Sequence, residues 1–241
     1  MRMVGVVLAG GSGQRFGAGV PKQLLELDGR TLLEHCVAAF DAAPGVDEVL
    51  VVMPPGRTAD AKELLDGRGY AKLTGIIDGG TTRPGSTRAA LAAIRAAREA
   101  HPETGPDEWA VLLHDAARPL VGQRIIADCV AALQRVQAVG VAVPTADTIV
   151  VAEDGVMTQI PRRDTLLRCQ TPQGFRLPVI TRAHELALAD PDYEPTDDCG
   201  VVLRYLPDVP VHVVAGSEQN LKITYPRDLA IARVLATDDQ A

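Results

Sequence analysis

Short apolar runs rich in β-branched residues alternate with helical segments along most of this 241-residue chain. The predicted strands cover 4–8, 48–53, 73–78, 109–114, 140–143 and 209–214, and the predicted helices cover 31–42, 86–100, 124–137 and 226–236. Such alternation is typical of a mainly parallel sheet that carries helices on both faces. We therefore predict an α/β fold of the Rossmann-like type, built as one domain over residues 1–241.

One segment departs from this alternation. Residues 147–152 and 156–160 have extended character and flank Glu153-Asp154-Gly155, a turn signal, so together they predict a β-hairpin. A two-stranded hairpin is only marginally stable alone in water. We expect residues 145–165 to form a protruding β-arm that packs against either its own domain or a second subunit.

Composition and charge exclude several classes of protein. No apolar run approaches the ~20 residues that a membrane helix needs, and the first residues are too few for the apolar part of a signal peptide, so we expect a cytoplasmic protein. The four cysteines show no zinc-site spacing and are expected to be free thiols. A net charge of −7 disfavours nucleic acid and anionic lipid as partners. A phosphorylated metabolite then needs locally concentrated cations.

The glycine-rich segment after the first predicted strand is suited to binding such a phosphate. Gly10, Gly11 and Gly13 let backbone N–H groups approach an anion without obstruction by Cβ atoms, and Arg15 and Lys22 can neutralise its charge. A phenylalanine stands where a dinucleotide-binding fingerprint has its third glycine, and no Ser or Thr follows the lysine as a Walker A loop requires. The loop therefore predicts phosphate chemistry of another type.

Two further motifs follow predicted strands, and ligands of open α/β sheets bind at the carboxyl ends of strands. Asp115 could bind Mg²⁺ directly or through water, and Arg118 could bind a phosphate; the alternative is a buried Asp–Arg structural pair. His114 between strand and loop fits a satisfied core histidine better than a catalytic base. In the other motif Gly80 offers close backbone approach, and Ser86 could either cap the following helix or bind a ligand.

Two later segments, 171–175 and 220–224, are interpreted as loops. Arg163 lies a few residues before the first of them, and Lys222 lies inside the second. The chain has only four lysines, so Lys22 and Lys222, each inside a compact motif, favour a functional role. Ordinary loop packing is the alternative for both segments.

An ordered series of motifs runs through nearly the whole chain. It comprises L-A-G-G-S-G-Q-R-F-G (8–17), V-P-K-Q (20–23), D-G-G…R…S (78–86), H-D-A-A-R-P (114–119), A-D-T (146–148), T-P-Q-G-F (171–175), T-D-D (196–198) and N-L-K-I-T-Y-P-R-D-L-A-I-A (220–232). The series resembles the 2-C-methyl-D-erythritol 4-phosphate cytidylyltransferases of the non-mevalonate isoprenoid pathway. The resemblance implies transfer of CMP from CTP to methylerythritol phosphate, with Mg²⁺ and release of pyrophosphate.

The resemblance also implies roles for individual residues. The catalytic set it implies is Arg15, Lys22, Arg163 and Lys222. The substrate-binding set it implies is Ala9, Gly10, Gly11, Gly13, Gly80, Ser86, Asp115, Ala116, Arg118 and Thr148. Within these sets, Thr148, Arg163 and Lys222 would position the polyol phosphate.

In the family, a β-arm at this position embraces a second subunit and carries acceptor-site residues to it, which implies a homodimer with composite sites.

Two features depart from the common family pattern. Thr81 stands where an acidic residue is frequent, and residues 8–11 read L-A-G-G, a form frequent in ribitol-5-phosphate cytidylyltransferases. The H-D-A-A-R-P motif favours methylerythritol phosphate, and ribitol 5-phosphate stays the alternative acceptor. A catalytically silent nucleotide-binding regulator is a further alternative, disfavoured because the expected cations are present.

Overall fold

A computed structural model describes residues 1–10, 21–100, 105, 108–190, 192–193 and 195–238. Its strands are β1 (Arg2–Leu8), β2 (Glu26–Leu27), β3 (Arg30–Thr31), β4 (Glu48–Met53), β5 (Leu73–Asp78), β6 (Trp109–Asp115), β7 (Ala138–Pro144), β8 (Val151–Glu153), β9 (Val156–Gln159), β10 (Leu167–Arg176) and β11 (Val211–Ala215). Its helices are α1 (Leu32–Ala42), α2 (Thr58–Leu65), α3 (Arg83–Glu99), α4 (Gln123–Leu133), α5 (Leu177–Leu188), α6 (Asp198–Tyr205) and α7 (Pro226–Asp238).

Seven strands form the central sheet in the order β11-β7-β10-β6-β1-β4-β5. β1 pairs in parallel with β4 and β6, β5 pairs in parallel with β4, and β11 pairs in parallel with β7. β10 runs antiparallel to both of its neighbours, β6 and β7. The prediction of a mainly parallel sheet is therefore confirmed, with one reversed strand near its middle.

Helices cover both faces of the sheet, as predicted. One apolar cluster joins alternate strand residues such as Val7, Val51 and Leu112 to α1, α2 and α4. The opposite cluster joins the intervening residues, such as Val6 and Leu113, to α3, α5 and α6. Because both faces are buried, the strands are apolar throughout, as expected of a covered parallel sheet.

Most of the predicted elements exist, and β4 and β5 have the predicted bounds. Two helix boundaries were wrong. α3 begins at Arg83 because Thr82 caps it, its side chain accepting a hydrogen bond from the backbone N–H of Gly85. α4 ends at Leu133 because the chain turns there to enter β7.

The interpretation of 171–175 as a loop was wrong, because these residues lie inside β10. Pro172 lies where the register with β7 shifts, between Cys169 and Gln173, a position in which a strand tolerates proline. Gly174 allows close packing, since a Cβ atom there would lie 2.8 Å from side-chain atoms of Leu112 and Val139. Residues that are typical of turns therefore build the middle of this sheet.

The predicted β-hairpin exists as β8 and β9, which pair antiparallel around a turn at Asp154 and Gly155. Its strands are shorter than predicted and make a separate two-stranded sheet. Val156, Met157 and Ile160 are each more than 60% exposed, so this hairpin presents apolar side chains to solvent.

Candidate active site

The carboxyl ends of four neighbouring strands form one continuous rim. Just beyond β1, the backbone N–H of Ala9 donates to the carbonyl of Val52 over 2.8 Å. Beyond β6, the N–H of Ala116 donates to Leu8 over 3.0 Å, and beyond β5 the N–H of Gly79 donates to Met53 over 2.7 Å. The segments predicted to bind substrate from these strands therefore meet at the same edge of the sheet.

Glycines and Ser86 bring the loops after β1 and β5 into close contact. A Cβ atom on Gly10 would lie 2.8 Å from Ser86 Oγ, and one on Gly80 would lie 2.7 Å from the Cα atom of Gly85. Ser86 is not the helix cap, because Thr82 takes that position and the single hydroxyl proton of Ser86 faces the carbonyls of Thr82, at 3.1 Å, and Gly80, at 3.3 Å. The capping interpretation was wrong, and Gly10 and Gly80, both partly exposed, allow the close approach of the two loops.

Asp115 lies at the end of β6 with each carboxylate oxygen on a different cation. Its Oδ2 accepts from Lys222 Nζ over 2.7 Å, and its Oδ1 accepts from Arg83 Nε over 3.2 Å. Burial alone would raise the pKa of Asp115, but the charges of Arg83 and Lys222 outweigh it and hold that pKa below its usual range. The carboxylate is therefore ionised and fixed in direction.

Lys222 reaches Asp115 from a loop that is anchored on both sides. Buried Asn220 donates its side-chain amide to the carbonyl of Thr171 over 2.8 Å, and the N–H of Ile223 donates to the carbonyl of Ala117 over 2.8 Å. Ile223 also packs with apolar residues of α1 and α7. This anchoring holds the backbone while the Lys222 side chain stays almost half exposed, at 44%.

Arg118 lies on the same rim but its guanidinium is directed to backbone. It donates to the carbonyl of Asn220 over 2.7 Å and to that of Cys169 over 3.3 Å. The side chain is buried, and burial lowers its pKa. These contacts favour a structural role, in which Arg118 ties the Lys222 loop to β10, over direct binding of a phosphate.

His114 is a buried structural histidine, as expected. Its Nε2 faces the carbonyl of Arg118 at 3.0 Å and its Nδ1 faces Thr171 Oγ1 at 3.0 Å. A carbonyl can only accept, so Nε2 carries the proton of a neutral ring and Nδ1 accepts from the hydroxyl. Burial lowers the pKa of His114 to about 4. The ring therefore helps to shape the Asp115 turn and stays neutral near pH 7.

Sequence reasoning assigned no role to three charged or polar residues that this site depends on. Arg83 bridges Asp115 and Asp198, with its second contact an ion pair of 2.7 Å to Asp198 Oδ2. The other oxygen of Asp198 faces His184 Nε2 at 3.0 Å. Arg83 and Asp198 both stand inside motifs of the ordered series, which was the signal available, whereas His184 stands in no motif.

The remaining predicted residues divide into three groups. Arg15, Gly11 and Gly13 lie outside the described residues. Lys22 opens a short 3-10 turn, Lys22–Leu24, directly after Pro21. Arg163 and Thr148 lie together on the arm, where the Arg163 guanidinium donates to Thr148 Oγ1 over 3.4 Å and to the carbonyl of Ala146 over 3.3 Å.

The protein ligands at this rim suit a magnesium ion that is bound mainly by the phosphates of the substrate. Within the described residues no group of three His, Cys, Asp or Glu side chains could hold a metal. Mg²⁺ at phosphate-transfer sites is commonly bound by one or two carboxylates, substrate phosphates and water. Asp115 on the rim meets that requirement as a single carboxylate ligand, so the residues present fit the predicted Mg²⁺ once phosphates are bound.

The buried neutral His114 predicts a loss of stability in mild acid. Its folded pKa, about 4, lies below the unfolded value of about 6.5, so its contribution is fully present above pH 6.5 and is lost as the pH falls toward 4. We expect the free energy of unfolding to fall by about 2–3 kcal/mol between pH 7 and 4.5 from this group.

Chemical denaturation at several pH values measures this effect. His114→Gln should flatten the pH dependence, while His212→Gln, at an exposed position on β11, should leave it unchanged. Equal slopes for wild type and His114→Gln would show that His114 titrates normally.

Comparisons with known proteins agree with the motif series. The family model described as IspD: 2-C-methyl-D-erythritol 4-phosphate cytidylyltransferase matches residues 3–238. A protein of that name from Thermobifida fusca is 51% identical over 239 residues, which cover 97% of this chain and 93% of the relative. A Haemophilus influenzae protein named bifunctional ribulose 5-phosphate reductase/CDP-ribitol pyrophosphorylase Bcs1 is 36% identical over 95% of this chain and 47% of that protein.

Solved structures give the same result for the fold. The 4-diphosphocytidyl-2C-methyl-D-erythritol synthase of Anaerococcus prevotii superposes with a TM-score of 0.81 at 27% identity, covering 98% of both chains. The 2-C-methyl-D-erythritol 4-phosphate cytidylyltransferase of Thermus thermophilus superposes with a TM-score of 0.72 at 32% identity, covering 96% of this chain and 98% of the other. With a family match over nearly its whole length, the chain belongs to the 2-C-methyl-D-erythritol 4-phosphate cytidylyltransferase family.

Proposed function

We propose that the chain transfers CMP from CTP to 2-C-methyl-D-erythritol 4-phosphate and releases pyrophosphate. The observation that carries the proposal is the family match over residues 3–238. It is supported by a rim that offers glycine-rich backbone on one side and the Asp115–Lys222 pair on the other. CTP and a sugar phosphate are the substrates that follow from membership of this family.

The reaction joins two polyanions, which defines what the protein has to supply. A phosphate oxygen of the acceptor forms a bond to the α-phosphorus of CTP, and the bond from that phosphorus to the bridging oxygen of the β-phosphate breaks. Negative charge collects around the five-coordinate phosphorus and on the leaving pyrophosphate. Catalysis of such a step rests on positioning and on fixed positive charge.

For the nucleotide half we propose the loops after β1 and β5. Ala9, Gly10, Gly80 and Ser86 would hold the cytosine and ribose, supported by the close approach of these loops to each other. Lys22 would act on the triphosphate and the transition state, together with Arg15 and the glycines of the same segment. Lys22 directly follows Pro21, whose ring fixes the backbone φ at that position.

For the acceptor half we propose Lys222, with Thr148 and Arg163 of the arm. Lys222 is anchored through its backbone but has an exposed side chain, which lets its ammonium group exchange Asp115 for a phosphate. Asp115 and Ala116 lie where the two substrates would meet, and Arg118 supports that turn from below through backbone carbonyls. Mg²⁺ bound by Asp115 and the triphosphate would neutralise charge on the leaving pyrophosphate.

We also propose a cytoplasmic homodimer that forms through the arm. The arm is a two-stranded sheet separate from the central one and carries exposed Val156, Met157 and Ile160. An isolated hairpin of this length is marginal in water, so burial of these side chains on a second subunit would stabilise it. In such a dimer Thr148 and Arg163 would serve the partner's site.

No helix in the described part of the chain is long and apolar enough to cross a membrane.

The choice of acceptor is tested by one assay. The purified chain receives CTP and Mg²⁺ with either methylerythritol 4-phosphate or ribitol 5-phosphate, and pyrophosphate release is followed. We expect kcat/KM to favour methylerythritol phosphate by about 10²-fold or more, the scale on which a pocket discriminates between substrates that differ by a methyl or a hydroxyl group. A preference for ribitol 5-phosphate, as the name of the Haemophilus influenzae relative suggests for that protein, would contradict the proposal.

Composite sites predict that two impaired variants can complement each other when the acceptor concentration is kept below the raised KM of Arg163→Ala. Lys22→Ala alone should lower kcat by about 10²–10³, the scale of losing one donor to the transition state. Arg163→Ala alone should raise KM for the polyol phosphate far more than KM for CTP. Mixing the two variants should restore up to about a quarter of the wild-type activity, because one site of each hybrid dimer is intact.

The mixing experiment carries its own control. Arg162→Ala, beside Arg163 and strongly exposed, should keep near wild-type activity and acceptor KM on its own, which shows that the defect of Arg163→Ala does not come from a disturbed arm. If subunit exchange is verified by mass spectrometry and no activity returns, the sites are not shared between subunits.

A further inference from the structure

A chain of four charged side chains and one histidine runs from the rim into the protein. It begins at Lys222, passes through Asp115 and Arg83, and ends at Asp198 and His184 on the buried side. Lys222 lies in the loop before α7, and the other four residues lie, in the same order, in β6, α3, α6 and α5. The arrangement therefore depends on the assembled fold. Every adjacent pair lies between 2.7 and 3.2 Å.

Asp198 is the fixed point of this chain. It is fully buried at the start of α6, and its backbone N–H donates to Gln173 Oε1 of β10 over 3.0 Å. One carboxylate oxygen faces His184 and the other pairs with Arg83 NH1. Burial alone would raise the pKa of Asp198, but Arg83 and His184 outweigh it and hold that pKa below its usual range. A buried carboxylate held this firmly fixes the cation that it pairs with.

Arg83 is thereby directed at Asp115. It is the first residue of α3, directly after the loop that carries Gly80, and its side chain is only 23% exposed. Its NH1 group pairs with Asp198 and its Nε–H donates to Asp115, so the planar guanidinium cannot turn away from one carboxylate without losing its contact with the other. Its contact with Asp115 is on the oxygen that Lys222 does not use.

We propose that Arg83, held by the buried Asp198–His184 pair, is a positioning residue that keeps Asp115 neutralised so that Lys222 can exchange Asp115 for the acceptor's phosphate. This inference rests on the proposed function. With Arg83 in place, Asp115 keeps a paired cation after Lys222 leaves it. Without Arg83, Asp115 has lost that partner and holds Lys222 more strongly, which leaves less positive charge for the incoming phosphate.

The consequence is a selective effect on one substrate. Loss of Arg83 should raise KM for the polyol phosphate by about 30-fold or more while KM for CTP changes less than about threefold, because Lys222 serves the acceptor half. Arg83→Lys keeps a charge but cannot span both carboxylates, so it should give an intermediate KM. Asp198→Asn should shift the same KM in the same direction, by a smaller factor of about 5–10.

The experiment is steady-state kinetics with each substrate varied in turn. Arg83→Met leaves Asp198 buried without its cation, which destabilises the fold, so the decisive variant is Arg83→Met/Asp198→Asn, in which both charges are removed. We expect this double variant to fold and to show no higher acceptor KM than Arg83→Met, since Asp198 acts through Arg83. Arg95→Met, on the exposed face of the same helix, is the matched control and should behave as wild type.

The outcomes separate this inference from the proposed function. Wild type that transfers CMP to neither acceptor contradicts the proposed function itself. If the wild type is active and the double variant folds, the KM values for the polyol phosphate and for CTP decide. The role of Arg83 is overturned if both KM values rise equally or if neither rises. A double variant that does not fold also overturns it, because the network would then be a folding element.

Discussion

The site depends on one carboxylate, Asp115, held between two cations at the end of a buried strand. Lys222 and Arg83 take opposite oxygens, and the backbone N–H of Asp115 donates to Thr171 Oγ1 over 3.1 Å. Without these partners, a carboxyl this buried would be costly to ionise. With them it is charged and fixed, and the direction of Lys222 is fixed with it. Lys222 and the buried network of Arg83 and Asp198 are therefore parts of the same electrostatic arrangement.

The fold brings these partners together from distant parts of the chain. Parallel strands place the loops after β1, β5 and β6 on a single rim, and reversed β10 supports that rim from inside the sheet. Thr171 and Gln173 of β10 reach, respectively, the Asp115 turn and the start of α6. An antiparallel strand in the middle of the sheet thus contacts the charge network at both Asp115, near the rim, and Asp198, on the buried side.

The sequence predicts the architecture well because the spacing of apolar residues and the secondary-structure propensity of each residue type are local properties. β4 and β5 have the predicted bounds, and the β-hairpin follows from its turn residues. β10 was missed because Pro172 and Gly174 are typical of turns, and its pairing with two distant strands overrides that preference. The roles of Arg83 and Asp198 could not be predicted for a similar reason. Their charges are visible in the sequence, but which carboxylate each cation meets is decided by tertiary structure.

In the proposed mechanism, Lys222 exchanges Asp115 for the acceptor's phosphate while Arg83 stays in place. A crystal structure of the chain with methylerythritol 4-phosphate and a non-hydrolysable CTP analogue tests this exchange. We predict Lys222 Nζ within hydrogen-bond distance of the acceptor's phosphate and Arg83 still paired with both Asp115 and Asp198. A phosphate bound away from Lys222, with the 2.7 Å contact between Lys222 and Asp115 intact, would show that the exchange does not occur.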